Sequence, residues 1–233
     1  MIELLNIDCL TYMKTLKDKA FDLCLTDPPY GVNLNYKTYK DTEENWFNLM
    51  NAFIPEIRRV AKMVIMPLCQ IKRLEWFYKN FPPDWLMCWH KGSTGCAAYI
   101  GFNDWEPHVV YGKTNNQLYM HDYFSITPNE KLGNYGHPCP KPLRWATWLL
   151  KRSLPDGGKV IDPFIGSGTT AIACHNMGHD LVGCEIDESY FKSALERLER
   201  HKKQFTLFGE ANDLPGHDKD GKDKEDFSKG LLF

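Results

Sequence analysis

Apolar residues along this chain gather in short runs and in stripes of helical spacing, and the two kinds of segment alternate from one end to the other. The run from Ile2 to Ile7 ends in Asp8-Cys9, and Leu10, Met13 and Leu16 then repeat as one face of a helix. Phe21-Asp22-Leu23-Cys24-Leu25-Thr26 reads as a strand leading straight into Asp27-Pro28-Pro29-Tyr30-Gly31. Two consecutive prolines cannot continue a ladder, so a stiff loop is expected at the strand's C-terminal tip. Residues 32–44 are polar and aperiodic and read as a mobile loop. The pattern then predicts a helix from about Trp46 to Arg59, a strand at Met63–Met66 and a helix from about Ile71 to Asn80. Strands follow at Asp84–Trp89 and Glu106–Tyr111, while residues 92–104 and 113–137 are turn-rich and expected to be irregular.

Periodicity returns at Lys141-Pro142-Leu143, where Pro142 suits the first turn of a helix with Ala146, Trp148, Leu149 and Leu150 on its apolar face. Leu154-Pro155-Asp156-Gly157-Gly158 stops it. Lys159–Asp162 is then expected as a strand, Gly166-Ser167-Gly168-Thr169-Thr170 as the opening of a helix, and Gly178 as its end. Asp180–Glu185 reads as a strand and Asp187 as the cap of a long last helix. Strands alternating with helices predict an α/β fold with a mostly parallel, doubly wound sheet covered on both faces. Residues 1–200 are expected to form that domain, with a short insertion at about 92–137. The segment 212–229 is rich in Asp, Lys and Gly, so 201–233 reads as a charged, disordered tail.

Composition changes this picture little. No apolar run approaches the length of a membrane span, and Met1-Ile2-Glu3-Leu4-Leu5 lacks the basic-then-apolar build of a signal peptide, so a cytoplasmic location is expected. The eight cysteines form no Cys-x-x-Cys pair and several lie inside apolar runs, which reads as reduced, mostly buried thiols and no zinc site. Charge is more informative by segment than in total. The net charge is −2, yet residues 58–152 hold 13 basic against 6 acidic side chains and most of the aromatics. An acidic scaffold with a basic, aromatic centre is compatible with a phosphate-tracking surface, and equally with an uneven surface that has no partner.

Two motifs carry chemistry. Asp162-Pro163-Phe164-Ile165-Gly166-Ser167-Gly168-Thr169-Thr170 lies between an expected strand and an expected helix, where glycines let the backbone approach a ligand and the helix N-terminus adds donor amides. Glu185 follows at the tip of the next strand, where an acid accepts hydrogen bonds from the ribose hydroxyls of an adenosine cofactor. The loop has neither a Gly-x-Gly-x-x-Gly pattern nor a Gly-Lys-Ser/Thr, so a phosphate-free adenosine cofactor fits better than a nucleotide. The second motif is Asp27-Pro28-Pro29-Tyr30. An exocyclic amine on a base is a poor nucleophile because its lone pair is delocalised into the ring. The Asp27 carboxylate and the Pro28 carbonyl, aimed by rigid prolines, can each accept one N–H and free that lone pair for in-line attack on a methyl sulfonium, while Tyr30 offers a face for a flipped-out base.

In this order, the two motifs resemble the amino-methyltransferases of DNA (adenine-N6 and cytosine-N4) in their circularly permuted beta arrangement. The resemblance extends over most of residues 1–200 and implies a Rossmann-like sheet of seven strands. It implies S-adenosyl-L-methionine as cofactor, double-stranded DNA as partner, and Asp27, Pro28, Pro29 and Tyr30 as the catalytic residues. Ile7-Asp8-Cys9-Leu10 resembles the acidic strand end beside the cofactor's adenine. His137-Pro138-Cys139-Pro140-Lys141-Pro142 resembles an element ahead of the helix at the cofactor's methionine end. Cofactor contacts are thereby implied for Asp8, Cys9, Asp27, His137 and Lys141; for Asp162, Phe164, Gly166, Ser167, Gly168, Thr169 and Thr170; and for Glu185 and Ile186. Asp27 rather than Ser before Pro-Pro-Tyr favours adenine over cytosine. The short insertion implies few base contacts and leaves room for a homodimer that reads DNA jointly.

Other readings stay open at this point. The same chemistry could serve an RNA adenine or a protein glutamine, or the chain could be a silent cofactor-binding partner of a true methyltransferase. Nothing in the chain says whether a restriction–modification partner exists. Lys91, Lys113 and Lys131 are candidate phosphate contacts, although single lysines on loops are commonly just solvated. Lys141 could equally contact the DNA backbone or cap its helix. Trp89, Trp105 and Tyr111 at strand positions are expected in the core. Gln204-Phe205-Thr206-Leu207-Phe208 resembles the short peptide with which replication proteins grip the sliding clamp, with a packed terminal strand as the alternative.

Overall fold

The computed structural model describes residues 1–68, 70–92, 101–113, 121–127 and 139–207, with side chains as far as Gln204. Eight strands form one sheet: β1 (Ile2–Asn6), β2 (Phe21–Leu25), β3 (Ala61–Pro67), β4 (Trp85–His90), β5 (Trp105–Tyr111), β6 (Tyr123–Ser125), β7 (Lys159–Asp162) and β8 (Asp180–Glu185). Their spatial order is β1-β8-β7-β2-β3-β5-β4-β6, with β5 antiparallel to both its neighbours and the other pairs parallel. The mostly parallel, doubly wound sheet is therefore present, with one strand more than the seven expected. The extra one is β6, three residues in a stretch expected to be irregular and too short to show an alternation. Phe124 carries it, stacking on Trp148 at 4.2 Å between ring centres.

Helices α1 (Cys9–Met13), α2 (Glu43–Val60) and α3 (Arg73–Asn80) cover one face of the sheet, and α4 (Leu143–Ser153) and α5 (Thr169–Met177) the other. Along β2 the side chains alternate between the two cores: Leu23 and Leu25 face α4 and α5, whereas Cys24 between them faces α2. Helix α2 begins ahead of the apolar pattern at Trp46 because Thr42 caps it, accepting from the Asn45 amide, and Glu43 and Glu44 complement the dipole of its first turn. Trp89 and Tyr111 are core residues as expected, whereas Trp105 is 39% exposed. Met1–Leu198 form one compact unit. The last helix, α6 (Glu188–Leu207), runs past the compositional break at 201, so the backbone of 204–207 is helical rather than extended. The expected disordered tail at 201–233 is therefore helical as far as Leu207; the side chains of Phe205, Thr206 and Leu207, and all of 208–233, lie outside the described residues. Among the described residues no helix is long and apolar enough to cross a membrane.

The order reverses between β7 and β2: the chain leaves β7 for β8 on one side and leaves β2 for β3 on the other. A crevice opens at the carboxyl ends of two such strands, which is where ligands bind in open α/β sheets. A buried hydrogen bond ties those ends together, from the Thr26 hydroxyl to the Asp162 carboxylate at 2.6 Å. The Thr170 hydroxyl and the Phe164 amide also serve Asp162, yet burial dominates and pushes its carboxyl up to about 7. The folded state thus keeps a proton that the unfolded chain releases near pH 4, so this group's contribution to stability is lost as pH rises toward 7. Asp162→Asn, which keeps the shape and cannot ionise, is expected to gain roughly 2 kcal/mol relative to wild type between pH 5 and pH 8 in urea unfolding. Parallel stability curves for the two proteins would refute that assignment.

Candidate active site

The crevice holds a cleft of about 120 Å³. Asp8 and Cys9 after β1 and Glu185 and Ile186 after β8 form one wall; Asp27 and Pro29 after β2 form the other, with Phe164 and Gly166 after β7 between them. Glu185 accepts the Gly166 amide at 3.1 Å and the Asp187 amide at 2.9 Å, which aims its carboxylate along the wall and leaves lone pairs for a ligand's hydroxyls. Burial raises its carboxyl above the ordinary range. Asp8 caps α1 with one oxygen, accepting the Thr11 amide and hydroxyl, both at 2.8 Å. The acid at the β8 tip is placed to accept the ribose hydroxyls of a nucleoside ligand.

Other residues expected at the cofactor are not in the cleft wall. Gly168 stands at φ +79 as the N-cap of α5, where a Cβ would come within 3.2 Å of the Ala194 side chain. Ser167, Thr169 and Thr170 are buried. The Thr169 hydroxyl donates to the Lys141 carbonyl at 3.0 Å, and Arg197 of α6 donates to the Ser167 carbonyl at 2.7 Å and to the Thr169 hydroxyl at 3.0 Å. These side chains and Asp162 turn inward because the tight turn buries them between β7, α5 and α6; they hold the loop that carries Gly166. His137 lies outside the described residues.

Lys141 departs furthest from expectation. It is 7% exposed, and its ammonium donates to Asp27 Oδ2 at 2.7 Å and to the Tyr30 hydroxyl, 4.9 Å from the centre of the Tyr30 ring. It therefore faces the Asp-Pro-Pro-Tyr loop rather than the cleft or solvent. The Tyr30 hydroxyl in turn donates to Asp27 Oδ1 and reaches Glu106 Oε1 at 3.4 Å, and Lys91 donates to Glu106 Oε2 at 3.1 Å. Burial works against the Lys141 ammonium, but the Asp27 and Glu106 carboxylates overcome it and hold its pKa above the ordinary lysine value. Burial raises the Asp27 carboxyl against the opposing pull of Lys141. Tyr30 itself is 6% exposed under that ammonium, so its ring is part of the cluster's wall rather than an open stacking face. His108 beside Glu106 is kept neutral, pushed by burial down to about 4, accepting from the Trp145 indole at 2.8 Å.

Strand direction explains which lysines arrive here. Strand β4 runs parallel to β3, so Lys91 after it sits at the same edge as Asp27 and is drawn onto buried Glu106 rather than left free for phosphate. Strand β5 runs the other way, so its start brings Glu106 to the site and its end takes Lys113 to the opposite edge, beside Met63 and Asp84. Lys131 lies outside the described residues. Two further features had no signal in the sequence. Residues 31–42 are held by buried Asp41, which accepts the amides of Gly31, Val32 and Leu34 at 2.7–3.0 Å, and they place Tyr36 and Tyr39 on the cleft. Lys37 in the same segment donates to the Ser189 hydroxyl at 2.8 Å. Buried Arg73 braces the Asp-Pro-Pro-Tyr loop from below, donating to the Gly31 carbonyl at 3.3 Å and to Glu43 at 2.6 Å.

The chain is similar to known proteins. The sequence profile of a DNA methylase family matches residues 70–196, more than half of the chain. The protein YubD of Escherichia coli (strain K12) is 28% identical over 214 residues, spanning 88% of this chain and 93% of its own. Among solved structures, an M1.HpyAVI–SAM complex superposes with a TM-score of 0.63 at 22% identity, over 85% of this chain and 99% of that one. The cytosine-N4-specific PvuII DNA methyltransferase superposes with a TM-score of 0.65 at 15% identity, over 90% and 93%.

The buried guanidinium of Arg197 gives this region its own test. Arg197→Met would leave the Ser167 carbonyl and the Thr169 hydroxyl without that donor, at a cost of about 2–4 kcal/mol in urea unfolding. A change under about 0.5 kcal/mol, within the usual range for surface substitutions, would show that the glycine loop does not depend on it.

Proposed function

From the premise that the chain belongs to the DNA methylase family, we propose that it transfers a methyl group from S-adenosylmethionine to the exocyclic amino group of adenine in duplex DNA. The observation that carries this reading is the position of Asp27: its carboxylate stands at the wall of the cleft on a stiff proline loop, opposite Glu185. The cofactor supplies an electrophilic methyl on sulfur, and the chain's residues do the rest. Glu185 and Asp8 orient the nucleoside end, and the Gly166 turn lets the backbone approach it. Asp27 and the Pro28 carbonyl accept the two N–H bonds of the target amine, so that its lone pair points at the cleft. Protonated Lys141 and the Tyr30 hydroxyl hold the Asp27 carboxylate in one orientation, which is preorganisation rather than covalent catalysis. Adenine is favoured by Asp27, where cytosine-N4 enzymes more often carry Ser.

Full-length protein, radiolabelled S-adenosylmethionine and unmethylated duplex DNA are the assay, followed by nucleoside analysis by mass spectrometry. N6-methyladenine is expected, and Asp27→Asn should reduce the rate by at least about 100-fold with cofactor binding retained, the scale seen when a preorganised catalytic group is removed. Label found only in RNA or protein would overturn the DNA assignment. N4-methylcytosine as the sole product would overturn adenine alone. Because burial raises the Asp27 carboxyl, the acid limb of the rate is expected above the ordinary carboxylate range: activity falls with decreasing pH as Asp27 takes up a proton.

A further inference from the structure

Glu106 is a buried carboxylate at the start of β5, 4% exposed, which no part of the methyl-transfer scheme above uses. One of its oxygens faces the Tyr30 hydroxyl at 3.4 Å and the other takes Lys91 at 3.1 Å. Both lysines of the cluster are largely withdrawn from water, Lys141 at 7% and Lys91 at 18% side-chain exposure. The cluster of Asp27, Glu106, Lys141 and Lys91 is thus two carboxylates against two ammoniums, bridged by one phenol. A buried ion left without a counter-charge costs several kcal/mol, so removing any one of the four redistributes the others.

Resting on the reading of Asp27 given above, we propose that Glu106 is a positioning residue for methyl transfer: it holds the Lys91 ammonium, so that Asp27 is met by Lys141 alone and not by both cations. Without Glu106, two ammoniums face one carboxylate. Both of its oxygens are then drawn toward cations, and their capacity to accept from a weakly acidic amine falls. With Glu106 present, Asp27 retains lone-pair density for the substrate. Other groups also act on this carboxylate's surroundings. Tyr36 approaches from the loop after Gly31 and Cys139 from the segment ahead of α4. Asp162 acts from β7, and neutral His108 flanks Glu106 on β5. Of the groups named here, Glu106 is the carboxylate that stands 3.4 Å behind the Tyr30 hydroxyl, whose single proton goes to Asp27.

The test is kcat against pH for wild type, Glu106→Gln and Lys91→Met, as full-length proteins with S-adenosylmethionine and unmethylated duplex DNA. Glu106→Gln is expected to lower kcat about 10-fold and to move the acid limb down by about one pH unit, because a like charge near Asp27 is removed. KM for the cofactor should change less than about twofold, since Glu106 is remote from the cleft wall. Lys91→Met should move the limb in the opposite direction, because Glu106 then leans harder on Lys141. A purely structural role would lower activity without moving either limb. Unmoved limbs in the folded variants overturn the proposal; if Glu106→Gln does not fold, the direction of the Lys91→Met shift decides it. Asp27→Asn separates the two readings. If that variant is active, the role of Asp27 has failed; if it is inactive and the limbs do not move, only the role of Glu106 has.

Discussion

An ammonium removed from water must be met by carboxylates or its burial costs several kcal/mol, and Lys141 is such an ammonium. Asp27 and Tyr30 meet it directly, and Glu106 stands behind the Tyr30 hydroxyl. That requirement ties together parts of the chain that are far apart in sequence: the tip of β2, the start of β5 and the segment ahead of α4. Each is placed by its own backbone logic. Prolines end β2 and stiffen the loop after it, β5 enters the sheet backwards, and Pro142 starts α4. The cluster works only if all three arrive at the same edge. The Asp-Pro-Pro-Tyr loop is thereby held by charge on one side and by Arg73 on the other, where the guanidinium stacks on Trp46 and holds Gly31.

The sheet supplies the second constraint. Crossovers that diverge from β7 and β2 leave a crevice at their carboxyl ends, and the Thr26–Asp162 bond keeps those ends in register. The Gly166 turn and Asp27 come from these two strands, so the two sides of the cleft are set by neighbouring elements. Side chains of the glycine motif such as Ser167 and Thr169 serve this geometry from inside the turn. They keep the loop in shape for the backbone of Gly166, and Glu185 at the tip of β8 is fixed by the amide of the same glycine.

Much of this was legible along the chain. The alternation of strand and helix, the stiff Asp-Pro-Pro-Tyr loop, the glycine turn and the acid after β8 all depend on local spacing, which periodicity and turn chemistry report. Strand β6 escaped because three residues carry no period. The early start of α2 escaped because the cap at Thr42 precedes the apolar stripe. Lysines were the least legible. Local sequence does not separate their environments, yet Lys91 neutralises Glu106, Lys113 stands at the far edge of the sheet and Lys141 is buried against Asp27.

What the sequence by itself determined is the set of elements and the two chemical motifs, because helix and strand periods, prolines and glycines act over a few residues. What the tertiary structure alone decided is the charge environment of Asp27. That depends on strand direction and on burial: β5 runs antiparallel and so brings Glu106 to the edge that holds Asp27 and takes Lys113 to the opposite one, and the interior makes Lys141 the partner of Asp27. Electrostatic energy depends on distance and on exclusion of water, and neither quantity exists until the chain has folded.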